Sequence, residues 1–370
     1  MKESFFCISV YNKIIRLSMK KVACGFISAF LIQSCSVPGG EPATADRITI
    51  DWEAPAPKWN VQKIVPLETN PEAFYGSSYQ IWANDKNIFI QDLTQILVFD
   101  LNGKYLSKID RVGHGPQEYI QIMDFWPQDD KVYIVDVHSP KILAYTLTGE
   151  FIHSFSVDFN PHAVAVSEQF VALNAWDNPN GTLVVIDHNG KTLYESISPI
   201  LAKTTYTISA RFPFTKVGGQ LYYLPDFSSS IYTVGADTSD LRKTTFDFGV
   251  HTLTPELVST LTATNDTEIF AKNEVVNFLS FFPTRQWWGL TFSLKDETYS
   301  WFYDTETGKQ YISGTKPLNE FRPIACATEE RFVASVEAPL FLEDERFASY
   351  REGMDVGEED NAILIFYTIE

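Results

Sequence analysis

Apolar and polar residues alternate along much of the chain in short runs that polar turns separate. Such alternation predicts β-strands rather than helices. Three consecutive segments, residues 86–104, 131–150 and 169–191, repeat one order: strand, polar turn, strand, Asp/Thr-x-x-Gly, strand. The turn glycines lie 46 and 41 residues apart, a period typical of four-stranded propeller blades. These glycines are Gly103, Gly149 and Gly190.

Similar but more diverged runs continue to the end of the chain. The sequence therefore predicts an all-β fold, a six-bladed β-propeller of four-stranded antiparallel blades, over residues 47–370. Strand-like stretches at 47–53 and 61–69 precede the first full repeat, and we expect one of them to pair with the last blade and close the ring. Short helical insertions are predicted at 254–273 and 342–354, where the strand alternation stops.

The N-terminal residues have the pattern of a bacterial export signal. A basic start at Met19 precedes an apolar run, residues 22–32, which is too short to span a bilayer. Ser34 then precedes Cys35, as in a lipoprotein processing site. We predict a signal peptide over residues 1–34 with its true start at Met19, lipidation of Cys35, and a tether over 35–46. The alternative is a plain secretory leader that is cut nearby.

Charge and cysteine content limit the partners. The formal net charge is −18, and removal of residues 1–34 takes away five Lys or Arg and one Glu, which leaves −22. Such a surface repels phosphate backbones, so no nucleic-acid partner is expected. Cys7 and Cys24 leave with the leader, so Cys326 is the one remaining thiol besides Cys35. It lies in an apolar strand and is predicted to be a buried small hydrophobe.

Several segments together resemble a known family. They are residues 65–69, the hairpin 96–103, the Gly-x-Gly-Pro-x-Glu-Tyr crossover within 111–119, the strand end 246–249, and the acidic turn before the closing strand in 358–365. In these the chain resembles the six-bladed β-propeller lipoproteins of Bacteroidetes, of the TolB-like or NHL-like type. Ala362 stands where many relatives carry Pro. The resemblance implies the fold and an envelope location; it implies no activity, because the family has no generally established one.

The crossover between blades 1 and 2 is the most function-like segment. Its glycines permit close backbone approach, and the side chains of Arg111, His114, Glu118 and Tyr119 offer charge and titratable groups. Loops at a propeller face commonly bind ligands, so these four residues are candidate ligand contacts. In the alternative reading, the glycines only make the turn, and Glu118 or Arg111 satisfies backbone groups.

Catalytic chemistry finds little support. The six histidines form neither H-x-H nor H-E-x-x-H, and Asp124 is the clearest carboxylate on a predicted inner strand. We therefore expect no catalytic residues, metal or cofactor. Tryptophans near predicted strands, together with Arg211 and Arg285 close to inner-strand positions, could bind a sugar ring or an anion, although blades also need such aromatics in their cores.

These patterns favour a lipid-anchored, non-catalytic binding or scaffold module of the cell envelope. Its ligand would be an envelope protein, a peptide or a glycan. The residues after Cys35 include no acidic run, which slightly favours display in the periplasm over the cell surface. One alternative is a propeller-type lyase or hydrolase that acts on sugars or peptides, and another is a purely structural envelope protein.

Overall fold

The strand alternation of the sequence forms six sheets arranged as a ring. The computed structural model describes residues 45–370, except 77, 137, 176–177, 179, 198–211, 265–269, 271, 296 and 316–320. The predicted signal peptide, Cys35 and Arg211 lie outside the described residues. The described chain begins with β1 (Ala45–Thr49) and β2 (Trp59–Pro66) and then builds the blades in order.

Each of the first five blades contains four consecutive antiparallel strands in sequence order, and the sixth contains three. Blade 1 is β3 (Gln80–Ala83), β4 (Asn87–Gln91), β5 (Ile96–Asp100) and β6 (Tyr105–Ile109). Blade 2 is β7 (Ile122–Gln128), β8 (Lys131–Asp136), β9 (Lys141–Thr146) and β10 (Phe151–Ser156). Blade 3 is β11 (Ala163–Val166), β12 (Val171–Asn174), β13 (Leu183–Ile186) and β14 (Thr192–Ser196).

The second half of the chain follows the same plan. Blade 4 is β15 (Phe214–Val217), β16 (Gln220–Tyr223), β17 (Ser230–Val234) and β18 (Arg242–Asp247). Blade 5 is β19 (Asn277–Pro283), β20 (Trp287–Leu294), β21 (Glu297–Asp304) and β22 (Gln310–Thr315). Blade 6 contains β23 (Phe321–Ala327), β24 (Phe332–Val336) and β25 (Ile363–Ile369). The first strand of each blade contacts the first strands of its neighbours, so these six strands form the inner wall of the ring.

The ring is closed by an N-terminal strand, as predicted. Strand β2 is the outermost strand of blade 6 and runs antiparallel to β25, with Trp59 opposite Ile369 and Pro66 opposite Ile363. The ring of Trp59 stacks on Tyr367 with centroids 4.3 Å apart. Because β2 precedes blade 1 directly, this pairing ties the last blade to the first and gives blade 6 its fourth strand.

Strand β1 has a different partner. It adds to blade 4 as a fifth strand and runs parallel to β18, with Ile48 opposite Phe246. The guanidinium of Arg47 forms an ion pair with Asp247 at 2.7 Å. Beyond the strand, the side chain of Gln310 in blade 5 accepts from the Asp51 N–H and donates to the Thr49 carbonyl. The sequence pattern indicated a strand here but not this partner.

The turn glycines of the repeat share one conformation. The φ angles of Gly103, Gly149 and Gly190 are 82°, 79° and 83°, values that residues with a side chain rarely adopt. At Gly103 there is also no room for a side chain, since a Cβ atom would lie 2.2 Å from the carbonyl oxygen of Pro66. The repeat detected in the sequence is therefore a repeat of backbone geometry, and its first copy packs against the closing strand.

Both predicted insertions contain helices. Helix α1 (Pro255–Thr264) separates blades 4 and 5, and α2 (Ala338–Glu343) lies between β24 and β25, followed by a 3-10 turn (Glu345–Tyr350). The second insertion begins before the predicted residue 342. Cys326 is buried on β23, as predicted, and burial raises the pKa of its thiol. Within the described part of the chain, no helix is long and apolar enough to cross a membrane.

We expect the replacement Trp59→Ala to destabilise the whole ring, because it removes the aromatic stack between the closing strand and β25. Loss of this stack should lower the free energy of unfolding by about 2–3 kcal/mol in urea titrations. The control is Leu193→Ala on β14, since Leu193 is 41% exposed and lies away from the closure. Equal effects of the two substitutions would contradict a special role for the closure.

Candidate functional site

The crossover between β6 and β7 is a compact turn held by its own backbone. The Gly113 N–H donates to the Tyr119 carbonyl at 2.9 Å, and the Tyr119 N–H donates to the Arg111 carbonyl at 3.2 Å. The Glu118 carboxylate folds into the turn and accepts from the Gly115 N–H at 2.8 Å. A Cβ atom at Gly113 would lie 1.9 Å from this carboxylate. The glycines thus make room for Glu118, and Glu118 satisfies a backbone donor.

Tyr119 is fully buried between blades 1 and 2. Its hydroxyl lies 2.8 Å from the carbonyl oxygen of Thr94 and 3.2 Å from that of Ile109, and it accepts from the Arg111 N–H at 3.2 Å. Burial raises the pKa of this phenol, so it stays neutral and can donate. The contacts of Tyr119 are those of a residue that joins two blades.

Arg111 and the middle of the crossover contact the outer half of blade 2. The Arg111 Nε donates to the Gly149 carbonyl at 2.6 Å, in the hairpin between β9 and β10. The Tyr145 hydroxyl, on β9, donates to the Gln117 carbonyl at 2.9 Å. These contacts match the alternative reading, in which Glu118 and Arg111 satisfy backbone groups. His114 is exposed, and no hydrogen bond fixes its side chain in the described part of the turn.

Arg285, another candidate residue, is not brought to the crossover. Arg285 lies in the turn after β19, and its guanidinium pairs with Glu329 at 3.2 Å and Glu330 at 3.0 Å. This turn lies on the face of the ring at which the inner strands end. The crossover lies on the opposite face, where the inner strand β7 begins. Arg211 lies outside the described residues, so its placement stays a prediction.

Asp124 on β7 joins three blades at the inner wall. Its Oδ1 accepts from Gln80 Nε2 of β3 at 2.9 Å, and its Oδ2 accepts from the Val164 N–H of β11 at 3.0 Å. Burial raises the pKa of this carboxyl to about 7, although both hydrogen bonds act in the opposite direction. The clearest inner-strand carboxylate of the sequence is therefore a buried link between blades.

Aromatic rings fill the centre of the propeller. Trp82 of β3 packs against Trp126 of β7 with centroids 4.8 Å apart, and against Phe212 with centroids 6.5 Å apart. Phe212 precedes blade 4 and also contacts Phe282 of blade 5, at 5.2 Å. Blades 1 and 4 face each other across the axis of the six-bladed propeller. The contact between Trp82 and Phe212 therefore means that side chains fill the central channel where these two residues lie.

No metal centre is found in the described ranges of residues 45–370: no three His, Cys, Asp or Glu side chains lie close enough together to hold an ion. Asp124 has amide donors as its hydrogen-bond partners rather than other carboxylates. The described residues consequently nominate no position for a catalytic cation.

A cleft of about 440 Å³ opens between blades 2 and 3, here called the blade 2–3 cleft. Blade 2 lines it with Asp129, Lys131, Tyr133, His153 and Phe155, from its first hairpin and its outermost strand. Blade 3 lines it with Ser167, Glu168, Asp187 and His188, from its first and last hairpins. Short hairpins between paired strands therefore position most of the polar groups of the cleft.

Hydrogen bonds and ring contacts fix several groups of the blade 2–3 cleft. The His188 Nε2 lies 3.1 Å from the Glu168 carbonyl oxygen, which ties the two hairpins of blade 3 together. The His153 ring makes an edge contact with Tyr133 at 6.1 Å. Burial, with smaller contributions from the charges of Lys131 and His188, lowers the pKa of His153, so its imidazole favours the neutral form.

Sequence reasoning did not identify this cleft. The sequence assigns no site to His153 or His188, because the six histidines form no metal-binding pattern. The two residues are 35 positions apart and belong to different blades. Only superposition of the blade repeats could have shown that the last strand of one blade borders the first and last hairpins of the next.

The comparisons with known proteins agree with the fold. A family model described as "Domain of unknown function (DUF4934)" matches residues 62–368. The structure of a Bacteroides fragilis protein assigned as exported is similar with a TM-score of 0.72 and 18% identity, covering 88% of this chain and 100% of that one. A DUF4221 family member from Bacteroides vulgatus is similar with a TM-score of 0.55 and 11% identity, covering 85% and 99%. No curated protein matches the chain. At these identities the similar structures show the fold alone.

We expect Asp124→Asn to reduce the dependence of stability on pH. Between the unfolded pKa near 3.8 and the native value of about 7, the native state holds a proton that the unfolded state has released. The free energy of unfolding therefore falls as pH rises through this window, by on the order of 4 kcal/mol at full effect. An amide at position 124 titrates nowhere in this range and keeps the size of the side chain.

The measurement is urea unfolding of both proteins from pH 4.5 to 8.5. The gain of Asp124→Asn over the wild type should grow with pH and level off above pH 7. Asp129→Asn is the control, because Asp129 is an exposed carboxylate on the neighbouring hairpin. Parallel stability curves for wild type and Asp124→Asn would show that the carboxyl does not titrate in this window.

Proposed function

The chain belongs to the DUF4934 family, and from this premise we propose that it is a lipid-anchored, non-catalytic binding or scaffold module of the cell envelope. Its ligand is a protein, a peptide or a glycan. The family description supplies no activity, so the proposal rests on the fold and on the site. The six-bladed ring favours such a module. The similar structure of a Bacteroides fragilis protein assigned as exported also supports it. The TolB-like or NHL-like subtype stays a prediction.

The observation that carries the proposal is the blade 2–3 cleft. It combines a volume of about 440 Å³ with two aromatic rings, a lysine, carboxylates and two imidazoles. Small-molecule sites are typically concave, with a few placed polar groups on a rigid frame. The exposed part of the crossover around His114 is a second candidate surface. It is the ligand-binding position expected from the sequence, and it can be tested beside the cleft.

The envelope location is supported by the sequence before the ring. Cys35 stands ten residues before the first residue of β1, Ala45. A chain of that length reaches at most about 35 Å, so a lipid on Cys35 would hold the propeller close to the membrane surface. Periplasmic display is the side we propose, since no acidic run follows Cys35.

We expect Cys35→Ser to release the protein from membranes. The substitution removes the thiol that would carry the lipid, and the remaining chain should appear in the soluble envelope fraction without incorporating labelled palmitate. Cys24→Ser, inside the predicted leader, is the matched control and should stay membrane-bound. If both variants remain in the membrane fraction, the predicted lipidation at Cys35 is wrong.

The binding site can be located by photo-crosslinking in intact cells. A benzophenone amino acid replaces Glu168 at the cleft, His114 at the crossover, or Val250, which is 87% exposed between blades 4 and 5. We expect adducts from position 168 and none from position 250. Adducts from position 114 alone would transfer the site to the crossover, and their absence from both candidate positions would contradict the binding function.

A further inference from the structure

We propose that the blade 2–3 cleft binds a neutral saccharide of one or two rings; this assignment rests on the proposed binding function and names its ligand class. The volume of about 440 Å³ suits such a ligand, since small-molecule sites span roughly 300–1,000 Å³. The remaining argument comes from charge, hydrogen-bonding capacity and ring surfaces.

Charge disfavours an anionic ligand. Asp129, Glu168 and Asp187 line the cleft with carboxylates, and burial keeps the imidazole of His153 toward its neutral form. Backbone N–H groups of residues 189 and 191 hold the pKa of Asp187 below its usual value, so it stays ionised. A sulfate, phosphate or uronate entering this cleft would meet these charges within a chain of net charge −18.

Charge decides less about a cationic ligand, because the lining combines three carboxylates with one ammonium group, that of Lys131. The Lys131 charge is close enough to His153 to contribute to the lowering of its pKa. A lysine or arginine side chain of a peptide would meet carboxylates as well as this cation. The choice between a cationic and a neutral ligand therefore rests on hydrogen-bonding capacity and ring surfaces.

The hydrogen-bonding groups suit hydroxyls. A sugar hydroxyl both donates and accepts, so it needs partners of both kinds within a short distance. Lys131 donates, Asp129 and Glu168 accept, and the neutral imidazole of His153 offers one nitrogen of each kind. The Ser167 hydroxyl is used within its own hairpin, since it donates to the Phe170 carbonyl and accepts from the Phe170 N–H. Because the ligand is uncharged, it pays no penalty for desolvating a full charge on entry.

Two aromatic rings provide an apolar surface. Phe155 is half-buried on the outermost strand of blade 2, and Tyr133 on β8 has its ring against His153. The C–H face of a pyranose can pack on such a ring while its hydroxyls turn to the polar groups of the hairpins.

The test uses the mature chain on a glycan array that carries neutral hexose and N-acetylhexosamine disaccharides, uronic-acid disaccharides and sialylated glycans. A lysine-rich peptide is printed beside them. The neutral disaccharide with the strongest signal is then titrated by calorimetry. We expect binding to neutral disaccharides and little or none to the acidic glycans or the peptide.

Two variants assign the binding to the cleft. Phe155→Leu keeps an apolar side chain but removes the flat ring, and Glu168→Gln keeps the size of the side chain but removes its charge. Each should raise the Kd at least about tenfold with little change in the melting temperature. Leu193→Ala, on the outermost strand of the next blade, should leave the Kd unchanged. Unaltered affinity in both cleft variants would overturn the assignment.

The outcomes separate this inference from the proposed function. Preference for the acidic glycans or for the lysine-rich peptide would overturn the saccharide assignment and leave a binding protein. Absence of any array signal, with crosslinks still formed from position 168, would also overturn the assignment while supporting another ligand in the same cleft. Absence of both would contradict the proposed function itself.

Discussion

The pairing of β2 with β25 is the constraint on which the ring depends. Blade 6 has only three strands of its own, and the fourth comes from the residues just before blade 1. The contact joins residues about three hundred positions apart, so no blade at either end of the repeat is left as an open edge. With the ring closed, the angle between neighbouring blades is set, and so is the width of every cleft between them. The blade 2–3 cleft is a product of that closure as much as of its own side chains.

Inside the propeller, the packing that stabilises the blades also fills the central channel where Trp82 and Phe212 meet, so a ligand cannot bind there. Trp82 reaches across to Phe212, and Asp124 joins blades 1, 2 and 3 through Gln80 and Val164. The carboxyl is buried at some energetic cost, which its raised pKa records. Polar groups that a ligand can reach are found between blades 2 and 3, where the hairpins of blade 3 border the last strand of blade 2.

The fold could be predicted because its signals are local. Strand alternation and the turn glycine Gly103 each determine the backbone conformation of only a few neighbouring residues. Both can be recognised in the sequence. The partner of β1 could not be predicted, since parallel pairing with β18 depends on contacts such as Arg47 with Asp247, 200 residues apart. The site was harder still. Charged residues in the crossover suggested ligand contacts, yet Glu118 satisfies the backbone of its own turn. His153 and His188 line one cleft only because the propeller fold places blades 2 and 3 side by side.

The parallel addition of β1 to blade 4 also fixes the place at which the described chain enters the ring. It enters at the outer edge of blade 4, opposite blade 1, rather than on the axis. Blade 3 separates this entry strand from the blade 2–3 cleft. Occupation of the cleft by a ligand therefore leaves the entry strand in place.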